Sequence, residues 1–495
     1  MNTEIFSLDP HLVIVNPNAR ATCYGVVADD AAAEPPLWAR LIAGYVRDRG
    51  FTVKIVDAEA ENLTPSKVAL DLFMGDTRLV CLCAYGHQPS ASTQQMEAVY
   101  DTARQIKSVC AAKVLVVGGH VSALPNQTMR ECEHVDYVCV GEGPETVCRL
   151  LSGSALEDVP GLVWRDGARI RINARAPLIE DLSKLHGDVW ELLPMKKYRA
   201  HGWQCLDDQT GRKPYASIYT SLGCPYSCSF CCINAPFGVR RYRMRNPADV
   251  VKEIEFLYSQ YGVRTFKIID EMFVLNERHY SEICERIIET IPNAGTDLNI
   301  WAYARVDTVR AGTLPLLRKA GIKWLALGIE SADPTVRDGA EKRLRTNDIK
   351  DIVGRIQAAG INVIANYIFG LPQDDAESMQ LTLDMALAIG SDWANFYCAT
   401  AYPGSPLYDE AVSTGQPLPD RWGNYAQHAE DFQPLPTDKL NPTDILQFRD
   451  AAHQAYFSSE KQIELLTYKF GPAAAAYAKA QSTPLPRRLF RQAAE

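Results

Sequence analysis

Over the first 150 residues, short unbroken apolar runs alternate with longer stretches whose apolar residues recur at helical spacing. Leu12–Asn16 (LVIVN), Thr52–Asp57 (TVKIVD), Leu79–Tyr85, Val114–Gly118 and Tyr137–Gly141 read as buried strands. Between the first two, Leu37, Leu41, Tyr45 and Val46 share one helical face, and Gly50 marks the helix end. Strands that are apolar on both faces and joined by helices call for a parallel sheet covered on both sides. The pattern therefore predicts a doubly wound α/β domain over 1–155. Ligands of such sheets sit at the carboxyl ends of the strands, where Asn16, Tyr85, Gly118 and Gly141 fall.

Residues 156–214 hold scattered Pro, Gly and charged positions and read as a linker. A second series of apolar runs follows: Ala216–Thr220, Thr265–Asp270, Asn299–Ala304, Trp324–Gly328, Asn362–Phe369 and Trp393–Ala399. Helical patterns separate them. One opens at Asn246-Pro247, a cap followed by proline at the first helical position, and puts Val250, Ile254, Leu257 and Tyr261 on one face. Six strand–helix repeats predict a partial (β/α)6 barrel over 215–412, with its chemistry at the strand C-terminal ends. Beyond it, 413–495 reads as mainly helical (Phe448–Phe457, Ile463–Phe470) and ends in the basic PLPRRLFRQ, read as an exposed tail. No internal repeat is visible.

Composition narrows the function classes. The 495-residue chain carries a net charge of −9, which argues against a nucleic-acid partner. No basic-then-apolar leader is apparent at the N-terminus, and no apolar run approaches the roughly 20 residues of a membrane span. The expectation is a cytoplasmic protein without an integral membrane segment, whose 14 cysteines sit in a reducing compartment. Most are isolated in apolar stretches and read as small buried hydrophobes.

One group breaks that pattern. Immediately after the second domain's first strand comes Ser221-Leu222-Gly223-Cys224-Pro225-Tyr226-Ser227-Cys228-Ser229-Phe230-Cys231-Cys232. Thiolates this close repel one another unless a metal neutralises them. Three ligands leave one position on the metal open, whereas four would close it. Zinc with Cys232 as fourth ligand is the structural competitor, but adjacent cysteines rarely ligate one metal in good geometry.

The Cys224, Cys228, Phe230, Cys231 loop resembles the hallmark of the radical S-adenosylmethionine (SAM) superfamily. Further motifs follow in the family's order across Ser217 to Ala411. Ile268-Ile269-Asp270-Glu271-Met272-Phe273 resembles the acidic motif that approaches the methionine amino group. Gly328-Ile329-Glu330-Ser331 resembles the motif that meets the ribose hydroxyls. Tyr367-Ile368-Phe369-Gly370-Leu371-Pro372 and Tyr402-Pro403-Gly404-Ser405-Pro406 resemble those near the adenine. The resemblance implies a [4Fe-4S] cluster on the three cysteines and SAM near Phe230, Asp270, Glu271, Glu330, Ser331, Gly370 and Pro403. Arg305, just past the third strand, is a candidate for the methionine carboxylate, with a surface arginine as the alternative. Carboxylates at strand ends suit an ammonium or vicinal hydroxyls.

The N-terminal strand ends resemble the cobalamin-binding domain that precedes this core in one subgroup of the family. Val56-Asp57-Ala58, Ala84-Tyr85-Gly86-His87-Gln88-Pro89-Ser90, Gly118-Gly119-His120 and Gly141-Glu142-Gly143-Pro144-Glu145 carry the likeness. It implies cobalamin near Asp57, Tyr85, Gly86, His87, Ser90, Gly118, Gly119, His120, Gly141, Glu142 and Gly143. Cobalt-ligating domains carry Asp-x-His-x-x-Gly after the first strand; here Asn16–Gly25 contains no histidine, so no protein imidazole is expected on the cobalt. That segment also lacks the G-x-G-x-x-G of a dinucleotide fold.

The resemblance implies an enzyme that cleaves SAM reductively, attacks an unactivated carbon and methylates it from methylcobalamin. A small-molecule or glycan-type biosynthetic substrate and a flavodoxin- or ferredoxin-type electron donor are expected. Rearrangement or cyclisation with the same cofactors is the alternative. Methylthiolation would need a second cluster, for which Cys23, Cys81, Cys83, Cys110, Cys132, Cys139 and Cys148 are available. The non-enzymatic alternative is an electron-carrying or metal-sensing module. Trp422, Tyr425, His428, Phe432 and Pro434–Thr437 are candidates to line the open side of the barrel or, more blandly, to pack against its edge.

Overall fold

The computed structural model describes residues 10–72, 77–342, 346–481 and 483. The basic PLPRRLFRQ segment, with Arg487, Arg488 and Arg491, lies outside them. The chain forms two compact units. The first comprises Met1–Arg20, Pro36–Lys197 and Asn234–Val239; the second comprises Ala21–Pro35, Tyr198–Ile233 and Arg240–Glu495.

The first unit is built on β1 (Leu12–Asn16), β2 (Val53–Asp57), β3 (Leu79–Ala84), β4 (Lys113–Gly118), β5 (Tyr137–Cys139), β6 (Leu162–Asp166) and β7 (Arg169–Ile172), in sheet order β2-β1-β3-β4-β5-β6-β7. The first five strands are parallel, and each meets the apolar run that predicts it to within two residues. Their runs are unbroken because both faces are covered: β1 and β3 are buried along their whole length. The strand order reverses between β1 and β3, which opens a crevice at their carboxyl ends. The helix Leu37–Arg47 covers one face, with Leu37, Leu41, Tyr45 and Val46 all buried. Gly50 lies just beyond its end with φ +84°.

Residues 156–214 are not a bare linker. They add β6 and β7 as an antiparallel hairpin on the β5 edge. Edge strands bury one face only, so RIRI in β7 shows no continuous apolar run to announce it. The remainder is a succession of single helical turns.

The second unit contains β8 (Tyr215–Ile218), β9 (Ser221–Leu222), β10 (Arg243–Met244), β11 (Thr265–Ile268), β12 (Asn299–Arg305), β13 (Ile322–Glu330), β14 (Asn362–Phe369) and β15 (Trp393–Cys398). Six of these form one parallel sheet in the order β15-β14-β13-β12-β11-β8, open rather than closed into a barrel. The helix Pro247–Tyr261 starts where the sequence places it. The Asn246 side chain accepts from the Ala248 N–H, while Val250, Ile254 and Leu257 are buried and Tyr261 is half-buried.

The C-terminal region forms three helices, Pro442–Ser458, Glu460–Phe470 and Pro472–Gln481. The segment before them seals the open sheet edge. The Gln427 amide accepts from Cys398 N–H (3.0 Å) and donates to Cys398 O (3.0 Å), taking the place of a neighbouring strand on β15. Tyr425 and Phe432 are buried beside it, the packing role. No helix among the described residues is long and apolar enough to cross a membrane.

Candidate active site

The cysteine loop, 223–242, is pinched at its base by the antiparallel pair β9–β10 (Leu222 with Arg243, Ser221 with Met244). This clamp rests on Asp270, just past β11. Thr220 N–H (2.6 Å), Thr220 Oγ1 (2.5 Å) and Ser221 Oγ (2.6 Å) all donate to its carboxylate, which is 1% exposed. Arg245, just past β10, reinforces it. Its N–H donates to Thr220 O, and its guanidinium holds Tyr219 O and Glu253. Asp270 thus braces the loop, and it is the next residue, Glu271, that reaches the cysteines. Glu271 Oε2 accepts from Gly223 N–H at 3.2 Å, and burial pushes its carboxyl up to about 7.

Within the loop, Cys224, Cys228 and Cys231 are partly exposed while Cys232 is buried. Phe230 packs against Val336, Ala340, Leu371 and Ala399. Ser229 N–H donates to Ala340 O and Ser229 O accepts from Leu407 N–H. The middle of the loop is thereby anchored. Arg305, at the end of β12, is buried rather than a surface residue. Its guanidinium forks onto Asp307 (2.9 and 3.1 Å), lies 4.0 Å from the Tyr226 ring centre and brings Nη1 to 3.8 Å from Cys228 Sγ.

This donor set fits an iron–sulfur group. Three soft sulfurs come from one loop, with a permanent cation hydrogen-bonded to one of them. Burial pushes the Cys224 thiol up to about 11 and raises Cys231 as well, so these two thiols ionise only against a strong local positive charge. Among the described residues, no set of three or more His, Cys, Asp or Glu side chains converges as the ligands of a single ion would.

Glu330 and Ser331 lie at the end of β13, where a register shift between Gly328 and Glu330 re-aims the strand. Glu330 has φ +67° and forms a buried ion pair with Lys342, a residue the sequence reading does not single out. Ser331 is fully buried, its Oγ 3.1 Å from Thr382 Oγ1 and its carbonyl accepting from Arg337. Gly370 ends β14 with φ +77°, its N–H donating to Asp374 (2.9 Å). Pro403 is buried in the turn after β15.

In the first unit the expected cobalamin residues gather at the strand carboxyl ends. Asp57 ends β2, accepts from Asn16 Nδ2 (2.8 Å) and caps the helix Ala58–Glu61 through Ala60 N–H. Tyr85 stacks on Trp38 (4.5 Å) and donates to the carbonyls of Gly141 and Glu142. Glu142 accepts from Ile179 N–H. Gly86 takes φ +69° and packs closely on Ala91, Gly143 takes φ +108° beside Ile42, and Ser90 is half-buried before the helix Ala91–Gln94. Gly118 is required: at φ +158° a Cβ would strike the Ala84 carbonyl. Gly119 sits beside Ser92, and nothing lies within 4 Å of a Cβ built at Gly141, leaving its backbone open to close approach. Glycines at adjacent strand ends, with open space where a Cβ of Gly141 would stand, fit a large, flat cofactor.

The two histidines differ. His87 Nε2 lies 3.3 Å from Glu59, which also pairs with Arg20. His120 is 1% exposed, its Nδ1 3.2 Å from Thr93 Oγ1, and burial lowers its imidazole to about 3. Two serines missing from the sequence reading hold these ends together. Ser92 Oγ donates to Ala84 O and accepts from His120 N–H; Ser122 Oγ donates to Gly118 O and accepts from Gly141 N–H. Short hydroxyl links of this kind leave no periodic signal in a sequence.

Comparison with known proteins agrees with this geometry. Residues 25–151 match the B12 binding domain and residues 218–386 the Radical SAM superfamily. An uncharacterized methyltransferase of Pyrococcus horikoshii is 30% identical over 396 residues, 79% of this chain and 81% of the relative. The anaerobic magnesium-protoporphyrin IX monomethyl ester cyclase of Cereibacter sphaeroides is 28% identical over 411 residues, 81% of this chain and 63% of the relative. The fold resembles that of the radical SAM methyltransferase TsrM from Kitasatospora setae, solved with cobalamin and a [4Fe-4S] cluster. Its TM-score is 0.65 at 20% identity, covering 81% of this chain and 74% of that one. The chain belongs to the radical SAM superfamily and carries a B12-binding domain. It is a cobalamin-dependent radical SAM enzyme, whose cofactors are a [4Fe-4S] cluster, SAM and cobalamin.

Proposed function

We propose that this enzyme methylates an unactivated carbon of a small-molecule or glycan-type biosynthetic intermediate. When bound, the cluster supplies an electron for reductive cleavage of SAM, and cobalamin carries the methyl group to be transferred. The observation that carries the reading is a loop with three partly exposed thiols, braced by Asp270 and Phe230, in a chain with glycine-lined strand ends suited to cobalamin.

The residues divide the work. Cys224, Cys228 and Cys231 would hold the cluster, and Arg305 donates toward Cys228. Glu271 receives the methionine ammonium; Asp270 positions it by fixing the loop base. Arg305 faces the carboxylate, Glu330 and Ser331 the ribose, and Gly370 and Pro403 the adenine. In the first unit, Asp57, Tyr85, Gly86, His87, Ser90, Gly118, Gly119, His120, Gly141, Glu142 and Gly143 form the cobalamin cradle. A flavodoxin- or ferredoxin-type protein supplies electrons, and the reaction runs in the cytoplasm.

Methylation is favoured by the methyltransferase relative that spans both domains. The cyclase relative supports the second reading, ring formation with the same cofactors. Turnover with deuteromethyl SAM tests the choice: methylation places the label in the product, and an unlabelled product rules methyl transfer out.

Cobalt receives no protein imidazole in this proposal. The loop after β1 has no histidine, and His120 is packed beneath Ser92 and Thr93. Cob(II)alamin-loaded protein is expected to give an electron paramagnetic resonance spectrum without nitrogen superhyperfine splitting; its presence would overturn the assignment.

A further inference from the structure

We infer that Arg175 is a positioning residue for cobalamin: it clamps the turn Asn234–Gly238 against the strand ends of the first unit, and through that turn cofactor binding senses whether the cysteine loop is filled. The inference rests on the assignment of cobalamin to those strand ends.

The turn begins two residues after Cys232, yet Asn234–Val239 belongs to the first unit. Asn234 O closes it, accepting from the N–H groups of Phe237 (3.1 Å) and Gly238 (2.8 Å). Arg175, three residues beyond β7, holds it in place. Its Nη1 donates to Ala235 O (3.2 Å) and Pro236 O (2.8 Å). Among the described residues this guanidinium pairs with no carboxylate, so its hydrogen bonds go to the turn alone. Gly238 completes the fit: its φ is +71°, and a Cβ there would stand 2.8 Å from Arg175 Nε.

The turn presses on the cobalamin cradle. Pro236 is buried, its Cδ 3.9 Å from where a Cβ of Gly119 would stand. Phe237 is 4% exposed and lies 6.2 Å from the Trp38 ring, which in turn stacks on Tyr85 (4.5 Å). Tyr85 donates to the carbonyls of Gly141 and Glu142. Contacts therefore run from Arg175 to the residues that follow β3, β4 and β5. Both acceptors of Arg175 are neutral carbonyls, so the clamp fixes position rather than compensating charge. A cluster on Cys224, Cys228 and Cys231 restricts the chain just ahead of the turn. Order imposed there need not be supplied again when cobalamin binds, which makes the two events mutually favourable. Arg175 acts on cobalamin through the turn, not by touching it.

The test is equilibrium titration with hydroxocobalamin, followed by visible absorbance, of anaerobic protein prepared with and without its cluster. Iron content and thermal midpoint are measured alongside. Cluster-filled wild type should bind roughly 5-fold or more tighter than cluster-free wild type. Arg175→Ala should weaken binding to the filled protein by roughly 10-fold and bring the two forms to within about 2-fold of each other. Its iron content and midpoint should stay near wild type, because the side chain is exposed. Arg175→Lys, which keeps a donor for the carbonyls, should restore most of the affinity. Gly238→Ala, which crowds the guanidinium without changing charge, should reproduce the Arg175→Ala loss. Equal affinities for filled and cluster-free wild type, or unchanged affinity in Arg175→Ala or Gly238→Ala, overturn the inference. Gly119→Leu reads the assignment beneath it: binding lost there alone leaves the strand-end assignment standing, and unchanged binding removes that assignment and the inference with it.

Discussion

Replacing Cys224, Cys228 and Cys231 together by alanine is expected to take cluster iron from about four atoms per chain to near zero and to abolish SAM cleavage. The three thiols sit on one loop, partly exposed, and among the described residues no set of His, Cys, Asp or Glu side chains converges as the ligands of a single ion. The loop's anchoring does not depend on them. Asp270 holds Thr220 and Ser221, Phe230 holds the middle, and β9–β10 closes the base. The variant should therefore keep its thermal midpoint in the metal-free state to within a few degrees of metal-free wild type. Colorimetric iron and sulfide assays with a matched thermal scan check both halves. Cys232→Ala, buried and apart from the exposed three, should retain its iron.

Asp270→Ala should produce the largest loss of stability. It leaves three buried donors, Thr220 N–H, Thr220 Oγ1 and Ser221 Oγ, without their acceptor. Hydrogen bonds to a charged group contribute about 1.5–3 kcal/mol each, not fully additively, so a loss of about 4 kcal/mol is expected. At roughly 2–4 °C per kcal/mol this lowers the midpoint by roughly 8–16 °C. Cluster occupancy should fall too, because β9 positions the first cysteine two residues further on. Glu271→Ala provides the contrast: it removes one contact to Gly223, so stability should change little while SAM affinity falls. Calorimetry and SAM binding on both variants separate brace from ligand contact.

These two adjacent carboxylates show where sequence reasoning stops. The run ending in Asp270-Glu271 marks a strand end with acidic chemistry, and the structure places β11 there. Which carboxylate turns inward depends on the donors of Thr220 and Ser221, some 50 residues away, and no local pattern encodes that pairing. Lys342 was illegible for a related reason. Its partner lies 12 residues back, across a turn and a short helix, with no periodicity to connect them. The parallel strands were legible because burial on both faces demands unbroken apolar runs; β6 and β7, added at an edge, carry no such mark. The three cysteines stood out because their C-x3-C-x2-C spacing offers three sulfurs of one loop to a metal group.

The central claim is a cluster held by three protein sulfurs, with its fourth iron left to bind SAM. Mössbauer spectroscopy of protein reconstituted with iron-57 reads each iron separately. The account predicts that adding SAM shifts the signal of one iron in four and leaves the others unchanged. A spectrum that does not respond to SAM, or anaerobically prepared protein that holds zinc in place of iron, would contradict it.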